Sequence, residues 1–110
     1  MTLLVEGTGY EIVGVLSNGV YNEIVIRTIN TVDAADTIVV DLTKYGISAT
    51  GLIGVDGFEH TTANSISVHI DPTTTVSSGS VTITPGAGGD NRQRYFHIKG
   101  HATPNPSSSI

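Results

Sequence analysis

The sequence predicts an all-β fold, a compact antiparallel β-sandwich or a small β-barrel of about seven or eight short strands. Val and Ile number 12 each against five Leu, and β-branched side chains fit a pleated sheet better than a helix. Thirteen Gly divide the chain into short segments, in which apolar and polar residues tend to alternate. At 110 residues we expect one β domain over residues 1–101, followed by a flexible polar tail over residues 102–110.

The first two predicted strands are residues 11–16 (EIVGVL) and residues 20–30 (VYNEIVIRTIN). Ser17-Asn18-Gly19 separates them, and Asn and Gly tolerate the positive φ that hairpin turns require. In the second strand Ile24 and Ile26 share one face, whereas Val25 and Ile29 share the other. We therefore expect this strand to be covered on both sides.

A loop at residues 31–36 (TVDAAD) leads to a third strand at residues 37–42 (TIVVDL). Alternation places Ile38, Val40 and Leu42 inward, and the segment TKYG closes the strand. The next strand, residues 47–60 (ISATGLIGVDGFEH), is apolar but contains three Gly. Because Gly inside a strand often marks a bulge or a close backbone approach, this segment predicts a bent strand that changes sheets.

Residues 65–70 (SISVHI) and 81–84 (VTIT) predict a pair of strands with one apolar and one polar face. The predicted core face comprises Ile66, Val68, Ile70, Val81 and Ile83. The intervening DPTTTVSSGS is polar and begins with Asp-Pro, so we expect a projecting loop.

The last predicted strand, residues 92–99 (RQRYFHIK), follows a Gly-rich break at residues 85–90. Phe96 and Ile98 fall on one of its faces, and Tyr95 and His97 on the other.

Several classes of protein do not fit the sequence. It has no Cys, which excludes disulfides, thiol catalysis and Cys-ligated zinc. No apolar run approaches the roughly 18 residues of a membrane span, and the N-terminal residues do not resemble a signal peptide. The Gly-rich PGAGGD lacks the Lys-Ser/Thr of a phosphate-binding loop. We therefore expect no membrane partner and no cofactor.

Three groups of polar residues are candidate sites. His97 and His101 are four apart, but the segment is strand-like and the pair would not share a helical face for zinc. The acidic loop residues Asp33, Asp36 and Asp41 could supply calcium ligands, although Asp33 also suits capping a turn. Asp56, Glu59 and His60 could form an acid–base group, but no nucleophile motif accompanies them. We expect no metal site and no enzyme.

The charge is unevenly distributed along the chain. Residues 1–90 contain two basic and ten acidic residues, a net of −8, whereas residues 91–110 carry +3. An acidic body argues against nucleic-acid binding, although basic and aromatic residues in RQRYFHIKGH could stack single-stranded bases. We expect this segment to contact a partner's acidic surface instead, unless its charges pair within their own subunit. The candidate interface residues are Arg92, Arg94, Tyr95, His97, Lys99 and His101.

The order NEIVIRTINTVDAADTIVVDLTKYGI, then GLIGVDGFEHT, then a Thr/Ser-rich segment and a basic–aromatic strand resembles small all-β proteins encoded beside the capsid genes of tailed double-stranded DNA bacteriophages. The matching pattern, VDxxDTIxVxLxxYGI, begins at Val32 and ends at Ile47, and the resemblance covers residues 20–99.

The resemblance implies a capsid decoration, or cement, protein in the virion. Such proteins typically form trimers on the outer shell and clamp the major capsid protein subunits. A small Gly-rich domain also gains stability from symmetric association, which independently favours a homo-oligomer. Two alternatives remain at this stage: a tail or host-surface module that binds carbohydrate, and a head–tail connector or tail-tube component.

Overall fold

The computed structural model describes residues 3–17, 21–29, 31–60, 67–85 and 92–102. This part of the chain contains nine strands and one short 3₁₀ helix. The strands are β1 (Leu3–Leu4), β2 (Tyr10–Ser17), β3 (Tyr21–Thr28), β4 (Thr37–Asp41), β5 (Ile47–His60), β6 (Ser67–His69), β7 (Thr73–Ser77), β8 (Ser80–Thr84) and β9 (Gln93–Ala102), and the 3₁₀ helix is Leu42–Tyr45. Within the described ranges, no helix has the length and apolarity to cross a membrane.

The strands form two sheets, in agreement with the predicted sandwich. One sheet has five strands in the order β2-β3-β9-β5-β6, and the other has four in the order β1-β4-β8-β7. All pairings between strands are antiparallel except β1 with β4. The C-terminal strand β9 thus occupies the centre of the larger sheet.

The core lies between the inner faces of the two sheets. Alternation in β3 and β9 buries Ile24, Ile26, Phe96 and Ile98, each at most 1% exposed. β4 and β8 supply the opposing layer: Ile38, Val40, Val81 and Ile83. The predicted inward residues of residues 37–42 are confirmed, and so is the face of Phe96 and Ile98. Each fully buried aliphatic side chain of this kind contributes about 1.5–3 kcal/mol of transfer free energy.

The outer side of β3 is covered less completely than the sequence suggested. Val25 is half-buried, and Ile29 beyond the end of β3 is 38% exposed. The expectation of two covered faces is therefore wrong, because no third layer packs on the outer side among the described residues.

A capped corner joins β4 to β5. The Asp41 carboxylate accepts a hydrogen bond from the Thr43 backbone N–H at the start of the 3₁₀ helix. Gly46 ends the helix with φ of 81°, a left-handed conformation that favours glycine. The Asn22 side-chain amide donates to the carbonyls of Tyr45 and Gly46, both at 3.1 Å. The segment that carries the bacteriophage resemblance therefore makes buried strand, cap and corner.

The predicted pairing of residues 65–70 with residues 81–84 is wrong. β6 pairs with β5 in the larger sheet, whereas β8 pairs with β4 and β7 in the smaller one. Val68 is 38% exposed because β6 is an edge strand, Ile70 is half-buried, and Ile66 lies outside the described residues.

The predicted projecting loop contains an additional strand, β7. It forms a hairpin with β8 through Ser78 and Gly79, whose φ values are 53° and 80°. Two consecutive positive φ values are typical of the type I′ turn, whose twist matches that of the strands. The Thr-rich sequence of β7 is compatible with a strand because Thr is β-branched.

β5 pairs irregularly with β9 but does not change sheets. It stays beside β9 along its length, with register shifts between Ile47 and Leu52 and between Leu52 and Gly54. Gly51 and Gly54 therefore lie where the pairing with β9 is irregular, whereas Gly57 pairs regularly with Phe96. The final strand extends further than predicted, to the buried Ala102. The rest of the predicted tail lies outside the described residues, as does most of the Gly-rich break.

Candidate functional site

The predicted interface residues divide between the two faces of β9. Four alternate along the outer face of the five-stranded sheet, turned away from the core: Tyr95, His97, Lys99 and His101. His97 and Lys99 are exposed, and the other two are half-buried. Arg92 is half-buried before the strand, where its backbone N–H and carbonyl bond to Val32.

Arg94 departs from the prediction because alternation turns it inward. Its side chain is 2% exposed, and Nη2 lies 3.2 Å from Oε1 of Glu59, whose side chain is 9% exposed. The Arg94 backbone N–H donates to the buried Thr28 hydroxyl at 3.0 Å. The expected contact between Arg94 and a partner is therefore wrong, since this charge is paired inside its own subunit.

The outer face of the five-stranded sheet gathers all four His of the chain among aromatic rings. Ring centroids are 4.8 Å apart for His60 and Tyr95, 5.2 Å for Phe58 and His69, 5.5 Å for Tyr21 and His101, and 6.2 Å for Phe58 and His97. Cross-strand partners on one face of a sheet stand close enough for such contacts. We call this surface the aromatic–imidazole face.

Two cations contact tyrosines of the aromatic–imidazole face. Lys99 Nζ lies 5.4 Å from the centre of the Tyr21 ring, a distance suited to a cation–π contact. Arg27 forms an ion pair with Glu11. The hydrogen bond with Tyr95, and then the bond to Glu11, raises the pKa of Arg27, so its guanidinium stays charged.

At the β5–β6 side of this face, two carboxylates meet one imidazole. Nε2 of His69 lies 3.0 Å from Oδ1 of Asp71 and 3.5 Å from Oδ1 of Asp56. One ligand atom from each residue lies within 4.8 Å of the others, and all three side chains are exposed. Imidazole nitrogen and carboxylate oxygen are both metal ligands. Within the described ranges this is the group whose atoms converge closely enough to share an ion.

A glycine allows the three residues to converge. The Ile70 backbone N–H donates to the Gly57 carbonyl at 2.9 Å, which holds the end of β6 against β5. A Cβ at position 57 would lie 2.6 Å from the Ile70 carbonyl oxygen and 3.2 Å from Cδ of Pro72. Only Gly leaves room for this approach, which brings Asp71 to the side of Asp56.

The acidic residues Asp33, Asp36 and Asp41 do not converge on one point. The Asp36 carboxylate accepts from the Asp33 backbone N–H at 2.9 Å, while Asp41 caps the 3₁₀ helix. These acids therefore serve the backbone at separate places and do not form a calcium loop.

The proposed acid–base group is divided by the sheet. Glu59 points into the core, whereas Asp56 and His60 lie on the aromatic–imidazole face. His97 and His101 share that face but contact different rings, Phe58 and Tyr21. Neither group assembles as a site.

A second surface feature is apolar. β1 and β2 are edge strands of the two sheets and follow each other in the chain. Five aliphatic side chains in these strands or directly after β1 are 44–61% exposed: Leu3, Val5, Val13, Val15 and Leu16. We call this the β1–β2 edge. A depression of about 270 Å³ connects it to the aromatic–imidazole face, lined by Leu16, Ser17, Tyr21, Glu23 and Lys99.

Sequence reasoning missed both the convergence of His69 with two carboxylates and the exposed β1–β2 edge. The pattern His-x-Asp at residues 69–71 was a local signal for two of the three converging groups. Asp56, the third, lies 13 positions earlier on another strand, so only the register of β5 with β6 reveals it. The exposed edge was hidden because Val15 and Leu16 look like ordinary strand residues.

Comparison with known proteins adds little to the description of the surface. No protein-family model matches the chain, and no curated protein matches it. Among solved structures, the bovine atadenovirus type 4 fibre head protein is similar to 86% of this chain and 97% of its own, with 8% sequence identity and a TM-score of 0.45. This likeness assigns neither a function nor a partner.

Proposed function

We propose that the chain is a structural protein of a virion, a capsid decoration protein that works by protein–protein contact and catalyses no reaction. The observation that carries the proposal is the β1–β2 edge. Its five aliphatic side chains lie in or next to β1 and β2, which are edge strands among the described residues. Exposed apolar edge strands can pair with another chain, and apolar side chains grouped on the surface mark interaction sites.

The surface next to the edge suits a partner of mixed character. The depression is lined by Leu16, Tyr21 and Lys99, among others. Tyr is enriched in protein interfaces, and the rim of an interface is polar. The resemblance to capsid-associated bacteriophage proteins supplies the partners: the major capsid protein and further copies in a homotrimer. Binding to the assembled shell but not to free subunits would stabilise the shell by mass action.

A matched pair of variants tests the edge. Val15 and Val76 lie on edge strands, at 44% and 45% exposure, and each pairs with a buried inner-face residue. Val15→Lys introduces charge into the β1–β2 edge, whereas Val76→Lys introduces the same charge on β7. We expect Val15→Lys to weaken self-association and shell binding by about tenfold or more, because a Lys must be desolvated there. Val76→Lys should behave as the wild type.

The measurements are sedimentation velocity of the purified protein and co-sedimentation with capsids of the phage that encodes it. Equal binding by both variants would move the interface away from the β1–β2 edge. A wild-type protein that stays monomeric and binds no capsid would refute the proposed function. Virions lacking the protein should also release DNA at a lower temperature, and unchanged release would argue against cementing.

One observation favours a host-surface module as a second candidate. Three of the six aromatic residues, Tyr21, Phe58 and Tyr95, lie on the aromatic–imidazole face, and Phe58 and Tyr95 are directly opposite each other in the β5–β9 ladder. Aromatic rings combine an apolar face with a polar edge or tip, which is the character a carbohydrate platform needs. Binding to host-surface glycans that is lost in Tyr95→Ala, with no binding to capsids, would favour this candidate.

A further inference from the structure

We propose that Asp56, His69 and Asp71 bind one divalent transition-metal ion of the zinc class. The three residues come from β5, from β6 and from the β6–β7 connection, and their ligand atoms lie within 4.8 Å of one another. The shortest separation is 3.0 Å, between His69 Nε2 and Asp71 Oδ1. A cation placed between these atoms would contact all three after small rotations of exposed side chains.

The backbone around the group is already constrained. The backbone hydrogen bond from Ile70 N–H to the Gly57 carbonyl fixes the end of β6, and Pro72 packs against the same Gly. The His69 ring lies 5.2 Å from the Phe58 ring, tilted by 52°. These contacts restrict the imidazole and the backbone that carries Asp71, so the ordering left for an ion to impose falls chiefly on the two exposed carboxylate side chains.

The ligand chemistry selects the class of ion. Zinc and its neighbours accept imidazole nitrogen together with carboxylate oxygen. Calcium takes six to eight oxygens, and magnesium prefers oxygen ligands in a strict octahedron. A single imidazole between two carboxylates therefore favours a transition ion. Three protein ligands leave the remaining coordination positions open, and the exposure of the group lets water fill them.

Electrostatics favour the same ion. The Asp56 and Asp71 carboxylate oxygens approach within 4.8 Å, and like charges at that separation repel. A divalent cation would remove this repulsion. The alternative is that a protonated His69 ion-pairs with both acids, but exposed ion pairs of that kind are weak.

The test is calorimetric titration of the full, tag-free chain with zinc chloride. We expect one equivalent to bind, and we expect His69→Asn or Asp71→Asn to weaken binding by about tenfold or more. His97→Asn is the matched control, because His97 lies opposite Asp56 on the same face but outside the converging group. It should bind zinc as the wild type does, and melting curves without metal should coincide for all variants.

A second measurement reads the ligand directly. Imidazole NMR signals, assigned with the His69→Asn and His97→Asn variants, report on individual His. Zinc should shift the His69 signal at one equivalent before the others. Excess calcium chloride should leave the zinc titration unchanged. The proposal is overturned if the wild type shows no saturable binding, if His69→Asn retains wild-type affinity, if His97→Asn is equally impaired, or if calcium displaces the ion.

Discussion

Replacing Arg94 by Met should destabilise the protein severely although it changes side-chain volume little. The substitution leaves the Glu59 carboxylate, 9% exposed, without the guanidinium that lies 3.2 Å away. Removing one partner of a buried ion pair costs about 3–5 kcal/mol, because the remaining charge stays desolvated. At roughly 2.1 cal/mol/K per residue, a chain of 110 residues has an unfolding entropy of about 0.23 kcal/mol/K. The Tm should therefore fall by about 13–22 °C.

Thermal unfolding followed by circular dichroism measures this loss. The double variant Arg94→Met with Glu59→Leu separates the charge from the packing, since it replaces both buried charges by apolar groups. Such replacements are often neutral or stabilising, so the double variant should recover most of the lost Tm. The reasoning would be refuted if Arg94→Met melted within about 3 °C of the wild type, or if the double variant were as unstable as the single one.

Three further predictions concern the backbone conformation and the loss of stability at alkaline pH. Gly57→Ala should cost about 1–3 kcal/mol in urea unfolding, because its Cβ would lie 2.6 Å from a carbonyl oxygen of the β6–β7 connection, whereas Gly54→Ala, with nothing within 4 Å, should cost less; equal losses would contradict the close approach. Ser78→Asn should stabilise the β7–β8 hairpin by on the order of 0.5 kcal/mol, since Asn tolerates the φ of 53°, and a lower Tm would count against the turn assignment. Burial raises the pKa of Tyr10 above its ordinary value of 10.0, and burial also raises that of Tyr45. As the pH rises, these phenols ionise in the unfolded chain before they ionise in the folded one. Their contribution to the free energy of unfolding is therefore fully present below pH 10. It is lost as the pH rises through the higher pKa of the folded state. Tyr10→Phe should reduce this fall, and an unchanged pH profile would exclude Tyr10 as a cause.

Local alternation predicted the core layers because it depends only on the period of the strand. Ile38, Val40, Phe96 and Ile98 were placed correctly for this reason. Pairing could not be predicted in the same way. β6 and β8 both come from segments with alternating apolar residues, but they belong to different sheets, and register between distant segments leaves no local trace.

The surface was predicted less well because its features join distant residues. Arg94 is buried through a partner 35 positions away, so its position in a basic segment suggested exposure. β7 has no apolar periodicity and is exposed at every residue, so a loop was the natural expectation. The convergence of Asp56, His69 and Asp71 depends on a close backbone approach at Gly57, which has no Cβ. Sequence patterns do not reveal an approach of this kind.

The central place of β9 has a consequence for biogenesis. β3 and β5 both pair with β9, so neither can complete its ladder until the ribosome has synthesised the chain to residue 102. During translation both strands expose unpaired N–H and C=O groups, which are templates for aggregation. Folding must then close a loop from β3 to β9 that spans most of the domain, and such distant pairing is slow. Overproduction at low temperature, or with holdase chaperones, should therefore raise the soluble yield more than changes to the surface would.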